Sequence, residues 1–404
     1  MAHTRNELRE KQALPLNIKI SMTQLRIREW VNHYGLSGVY VSFSGGKDST
    51  VLLDIGRNMY GDDLKAVFSD TGLEYPEIRD FVGTYDNVDI VKPKMTFKQV
   101  IEKYGYPFIS KETSEAVYYA RKYLTKVSDK AESLTNERTN ERTNERTIPY
   151  SAQMADMLGI DRRIDKDNPQ YIALKTGTIF STREDLPVRV KMLLGQFEHK
   201  ENGVSTGEYS KMYDKSRYLF FLDAPFEISN VCCKVMKKEP MSRYTRETGR
   251  HPITAQMAQE SKLRESQWIR HGCNAFDSKK PISNPMSFWT EQDVLQYIDR
   301  FDLPIADVYG EIVVDYDKMK QLEGQMTLDG TIEKPLKTTG CDRTGCMFCG
   351  YGCHLEKSPN RFERMKETHP NQYDYIMRPK ERGGLNYKEV IDWINENGNM
   401  NIKY

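Results

Sequence analysis

No stretch of this chain approaches the roughly 20 consecutive apolar residues that a bilayer-spanning helix needs. Its opening, Met1 to Leu16, lacks the apolar centre of a secretory signal. Net charge is nearly missing too. The 59 basic residues stand against 58 acidic ones, a balance of +1, so no overall field draws the chain to nucleic acid or membrane and any basic binding surface is local. Cysteine is scarce, with seven in 404 residues, which excludes a disulfide-built secreted scaffold. These absences together predict a cytoplasmic protein with no membrane partner. What is present is a globular composition, 38% hydrophobic and 29% charged, long enough for one large core and a second, smaller unit.

Apolar spacing predicts a helix over 16–34, with Leu25, Trp30, Val31 and Tyr34 on one face. A strand follows over 38–43, then a glycine turn and a helix opening at Thr50. A second strand over 64–68 ends at Ser69-Asp70-Thr71-Gly72. A helix over 77–82, a strand over 88–91 and a helix over 97–104 continue the alternation. Alternating strands and helices imply βαβ units around a mostly parallel, doubly wound α/β sheet, with ligands beyond the carboxyl ends of the strands. Residues 135–147 spell TNERTNERTNERT, which has nothing to bury and reads as a solvated polar insertion near 128–150. Further on, Val188 to Leu194 reads as a helix and Tyr218 to Leu222 as a buried strand. Thr290 and Asp293 form a capping pair, and a last helix runs near 387–397 to Gly398. The expected domains are 1–290, a nucleotide-binding α/β domain, and 291–404, a smaller cysteine-rich, mainly helical region.

The segment VYVSFSGGKDST, Val39 to Thr50, is the most informative stretch. Its spacing is not that of a P-loop, yet the logic is the same. Gly45 and Gly46 let the backbone approach an anion, and the following helix N-terminus stabilises negative charge. Lys47 adds a point charge, and Ser44, Ser49 and Thr50 add hydroxyls, with Asp48 between them. An ordinary tight turn would not need this set.

The segment resembles the pyrophosphate-binding loop of the PP-loop ATP pyrophosphatases, and Ser69-Asp70-Thr71-Gly72 resembles the turn of their PAPS/APS reductase branch, which includes DndC-like phosphorothioation proteins. Cys232-Cys233-Lys234-Val235-Met236-Lys237-Lys238-Glu239-Pro240-Met241 is similar to the paired-cysteine segment of APS reductases. Gln259-Glu260-Ser261-Lys262-Leu263-Arg264 resembles their Q-S-x-x-R element, with Glu260 in place of glutamine, and Asn284 to Val294 resembles their N-P-L-x-x-W-x-x-x-D-V stretch. The resemblance implies an adenine nucleotide α-hydrolase-like fold that binds ATP, or PAPS or APS, with Mg2+. It places Ser44 to Thr50, Ser261 and Arg264 at the nucleotide and Asp70 at the nucleotide or its magnesium. Lys47, Asp70 and Arg264 are the expected catalytic residues.

The run Cys341-x4-Cys346-x2-Cys349-x3-Cys353 is dense enough in thiols to hold zinc or an iron–sulfur cluster by itself. The resemblance implies a different set, Cys232, Cys233, Cys346 and Cys349, around a [4Fe–4S] cluster, and that set is favoured. Zinc is the minority alternative and suits the local set better. Cys273, Cys341 or Cys353 would then be spare for sulfur relay. Two basic clusters, Lys234 to His251 and Lys357 to Lys366, fit either phosphate contacts or a solvated face.

The resemblance therefore implies adenylation of a substrate for iron–sulfur-linked sulfur transfer, with a cysteine desulfurase as sulfur donor and nucleic acid as a conceivable acceptor. The alternatives are a sulfonucleotide reductase releasing sulfite and a non-catalytic iron–sulfur nucleotide sensor. The chain departs from the reductases at its end, where the family's E-C-G-[IL]-H tail is missing and no cysteine follows Cys353. Oligomeric state is not readable here.

Overall fold

The computed structural model describes residues 3–138, 187–201, 204–321 and 334–404. The polar repeat from residue 139 onward lies outside the described residues. The chain builds two compact units that interleave in sequence: Met1–Phe97 with Lys234–Met347, and Lys98–Cys233 with Phe348–Tyr404. The expected order of 1–290 followed by 291–404 divides the chain differently. Non-local pairing explains the regrouping. Asp293 docks on Lys19 in the first unit, and Gly350–Tyr351 pairs in parallel with Phe108–Ile109 in the second.

The first unit holds the sheet. Its strands are β1 (Val39–Ser42), β2 (Ala66–Ser69), β3 (Val88–Val91), β4 (His251–Ile253), β5 (Asn274–Ala275) and β6 (Ile282–Ser283), in the order β3-β2-β1-β4-β6-β5. All neighbours run parallel except β5 and β6. Val39, Tyr40 and Val41 are all buried, as an unbroken apolar run requires when both sheet faces are covered. One face packs Val39, Val41 and Phe43 with Trp30, Leu52 and Trp289. The other packs Tyr40 and Val67 against Tyr244. The sheet is thus doubly wound and mostly parallel, as expected from the alternation.

The helices that matter here are α1 (Leu16–Tyr34), α2 (Lys47–Tyr60), α3 (Pro76–Val82), α4 (Glu239–Thr248), α5 (Lys262–His271) and α6 (Glu291–Phe301). In α1 the buried stripe is Thr23, Ile27, Trp30 and Val31, spaced by three and four. Leu25 lies off that stripe and is exposed, contrary to the sequence expectation. At α6 the Thr290–Asp293 capping box forms on both sides. Asp293 also takes two hydrogen bonds from the buried Lys19 ammonium, each at 2.7 Å.

The second unit is mainly helical and carries Cys232, Cys233, Cys349 and Cys353. Ser216–Asp223 is a 3-10 helix rather than the expected strand. Tyr218, Phe221 and Leu222 are its buried residues, a three-and-four spacing that a helical turn satisfies and a strand does not. Phe220 and Phe221 pack their rings near Trp393 of the helix Tyr387–Gly398. That helix stops at Asn399 in the left-handed conformation. Among the described residues, no helix is long and apolar enough to cross a membrane.

Candidate nucleotide site

Strand β1 ends at Ser42, and α2 begins at Lys47 with Gly46 as its N-cap. Gly45 between them has a φ of +69°. A Cβ there would sit 2.8 Å from methyls of both Ile78 and Val82, so only glycine lets the turn press on α3. Gly46 lies under three hydroxyl oxygens. A Cβ on it would meet Tyr309 Oη at 3.2 Å and Ser44 Oγ and Thr344 Oγ1 at 3.3 Å each. Ser44 and Ser49 share a hydroxyl contact of 3.0 Å, and the Thr50 hydroxyl donates to the Gly46 carbonyl at 3.1 Å. The turn is therefore a glycine-lined pocket edged with hydroxyls at the mouth of a helix, as a phosphate cradle requires.

Lys47 is buried, and its ammonium donates to the Asp342 carbonyl at 2.9 Å and lies 3.2 Å from Glu291. Its backbone amide donates to the Tyr309 hydroxyl at 3.1 Å. The Tyr309 hydroxyl in turn meets Thr344 Oγ1 at 2.6 Å. Tyr309, Thr344, Asp342 and Glu291 were not legible as site residues. They reach the turn from more than two hundred residues away in sequence, and Glu291 falls in a motif only at an unspecified position, within the Asn284 to Val294 stretch. Cys341 and Cys346 flank this stretch, so the first half of the cysteine run passes the glycine turn.

Arg264 opens α5, where the Ser261 hydroxyl caps its amide at 3.3 Å. Its guanidinium pairs with Glu260, and Arg343 pairs with the other oxygen of the same carboxylate. Burial and the neighbouring Arg343 hold Arg264 below the usual guanidinium range, while Asp48 acts in the opposite sense. The expected residues Asp48 and Arg264 are therefore electrostatic neighbours. Asp70, at the end of β2, is held instead by Arg79 at 3.4 Å and Lys92 at 3.6 Å, and it accepts the Gly72 amide at 3.2 Å.

A cleft of about 790 Å3 opens at the carboxyl edge of β1, β2 and β4, between Ser44, Ser69, Glu74 and Thr344. Lys237 and Lys238 just before α4, Arg246 within it, and Lys279 and Lys280 just before β6 also line it, so five basic residues give it positive walls. The Ser69 hydroxyl and His251 Nδ1 in its wall are buried without hydrogen-bond partners. Unpaired buried polar atoms are unusual in folded chains and suit a polar ligand. Burial first, and His33 second, hold His251 below the usual imidazole range, so it presents a neutral ring there.

A family model described as the phosphoadenosine phosphosulfate reductase domain matches residues 38–150 and 166–351. The chain belongs to that family. It is a nucleotide-binding member of the PAPS/APS reductase-like branch of the PP-loop superfamily, as its loop and turn predicted. An uncharacterised protein of Methanocaldococcus jannaschii, MJ0973, is 42% identical over 74 residues, covering 17% of this chain and 18% of its own length. The chain thus spans under a fifth of that relative. A crystal structure of phosphoadenylyl-sulfate reductase from Candida auris, in complex with phosphate, aligns over 76% of this chain and 91% of that one, at 14% identity and a TM-score of 0.31.

In this PAPS reductase-family chain the second unit gathers part of the expected thiol set. Tyr351 interacts with Cys232, Cys233 and Cys349, and Cys349 with Cys233 and Cys353. Arg361 donates to the Cys349 carbonyl at 2.7 Å, and Tyr387 to the Phe348 carbonyl at 2.6 Å, which fixes the backbone around that cysteine. Burial holds the Cys349 thiol above its usual range, and cysteine sulfur is the ligand type of a soft metal centre. Among the described residues, however, no three His, Cys, Asp or Glu side chains close into a metal-holding group. Burial pushes the Cys273 thiol up to about 11 and the Cys353 thiol up to about 12, so neither is poised as a thiolate.

Proposed function

We propose that the protein is an ATP pyrophosphatase-type enzyme that adenylates a substrate and prepares it for sulfur transfer. The observation that carries this reading is the Ser44–Thr50 turn, with its forced glycine, its hydroxyl rim and Lys47 at the head of α2. Breaking the α–β phosphate link develops negative charge on pyrophosphate. The turn amides and Lys47 would stabilise that charge as the Lys47 ammonium exchanges Glu291 for phosphate. Arg264 would bind the nucleotide from α5. Asp70 would bind Mg2+, which supplies further neutralisation when bound. Cys232, Cys233, Cys346 and Cys349 would hold an iron–sulfur cluster, whose chemistry is to tie the cysteine segments together and carry sulfur or electrons. A cysteine desulfurase as sulfur donor and a nucleic-acid acceptor belong to the same proposal.

The positive walls of the cleft favour a second reading. A sulfonucleotide presents a phosphosulfate group, and PAPS a further phosphate, which Lys237, Lys238, Lys279 and Lys280 along the cleft would suit. In that reading the protein reduces PAPS or APS and releases sulfite. The test is incubation of anaerobically prepared protein with α-labelled ATP and, separately, with PAPS or APS and a thiol reductant. Pyrophosphate release that falls about 10²–10³-fold in Lys47→Ala supports adenylation. Sulfite release with no pyrophosphate would replace it by the second reading, and neither product would remove both.

A further inference from the structure

A second cavity, of about 740 Å3, lies wholly within the second unit and shares no lining residue with the glycine-turn cleft. Its volume is within the range of small-molecule sites. Lys111, Lys211, Lys215, Arg217 and His354 line it, against one carboxylate, Asp214. Lys215 is already neutralised by Glu112 at 3.1 Å. Among the described residues, Lys111 and Lys211 form no ion pair.

The walls are more than a surface patch of lysines. Lys111 is the first residue of the 28-residue helix Lys111–Arg138, whose positive end adds to its own charge. Ser110 caps that end by accepting the Thr113 amide at 3.0 Å. His354 Nδ1 is buried without a hydrogen-bond partner. Leu355, 75% exposed, supplies an apolar face, while Ile109 and Tyr218 in the lining are buried. An excess of cations, a helix N-terminus, an unpaired imidazole and an apolar face together ask for a ligand with an anionic end and a flat body.

We propose that this cavity is a second phosphate-recognition site, which takes a nucleoside phosphate unit. Lys111, Lys211 and the helix terminus hold the phosphate, and the ring lies against Leu355. The unit has two sources, a free mononucleotide or one residue of a single strand. The site stands apart from the adenylation reading, because different residues build it.

The test measures binding of labelled adenosine monophosphate, and of a labelled five-nucleotide DNA strand, to the full chain by equilibrium dialysis at low salt. Wild type, Lys47→Ala and the double variant Lys111→Ala with Lys211→Ala are compared. A class of site that survives Lys47→Ala, weakens at least tenfold in the double variant and weakens further with salt is expected. Tighter binding of the strand than of the mononucleotide assigns the unit to nucleic acid, and the reverse assigns it to a free nucleotide. Both lysines are exposed, so an unchanged melting curve for the double variant is expected and separates lost binding from lost fold. Binding that the double variant leaves intact, for both probes, overturns the proposal. So does a single class of site that Lys47→Ala abolishes. Loss of ATP turnover in Lys47→Ala with the second class retained leaves this proposal standing whatever becomes of the first.

Discussion

Gly45 shows how a single residue sets the geometry of the turn. Its left-handed φ and its 2.8 Å approach to Ile78 and Val82 leave no room for a methyl. Gly45→Ala is expected to lower stability by about 1–3 kcal/mol through strain and overpacking, read as a lower denaturant midpoint, and to weaken nucleotide binding with it. Glu260 acts in the other direction. It holds both Arg264 and Arg343, so an incoming phosphate must compete with a carboxylate for two guanidinium groups. Glu260→Gln keeps the shape and removes that charge. Nucleotide affinity should rise about fivefold, roughly 1 kcal/mol, as expected for a partly exposed pair. Weaker binding in this variant would mean that Glu260 positions the arginines rather than restraining them.

At the scale of the element, α6 is anchored by one carboxylate in two roles. Asp293 accepts the Thr290 amide and hydroxyl at its own N-terminus and receives the buried Lys19 ammonium from α1. Asp293→Ala leaves Lys19 charged, buried and unpaired, and a loss of about 3–5 kcal/mol is expected. Replacing both partners, with Lys19→Met and Asp293→Leu, should recover most of it, since an apolar pair of similar volume escapes the desolvation cost. Denaturant titration of the two variants beside the wild type checks this, and equal losses in the single and double variants would refute it.

For the whole molecule, acid stability follows from groups held away from their ordinary values. Burial keeps His251 and His354 below 6.5. Burial alone would raise Glu356, but the Arg361 hydrogen bonds outweigh it and hold the carboxyl below 4.5. In each case the unfolded chain takes up a proton at a higher pH than the folded one. The stability these three groups contribute is therefore present above 6.5, falls first as the histidines titrate, and falls again below 4.5. Tm measured across pH should show both steps. His251→Gln with His354→Gln should remove the upper one, and Glu356→Gln should reduce the lower one.

The chain alone carried the local decisions. The unbroken apolar run before Ser44, the paired glycines and the alternation through Val91 are set by burial and backbone freedom, which act over a few residues. They were enough to place a parallel sheet and its glycine turn. Folding decided what depends on long-range pairing. It brought Tyr309, Thr344 and Glu291 to Lys47, turned Tyr218–Leu222 into a helical segment, exposed Leu25, and split the cysteine run between a stretch at the glycine turn and a stretch beside Cys232 and Cys233. No window of sequence holds those facts, because the free energy behind them comes from surfaces that meet only after the chain has closed loops of a hundred residues or more.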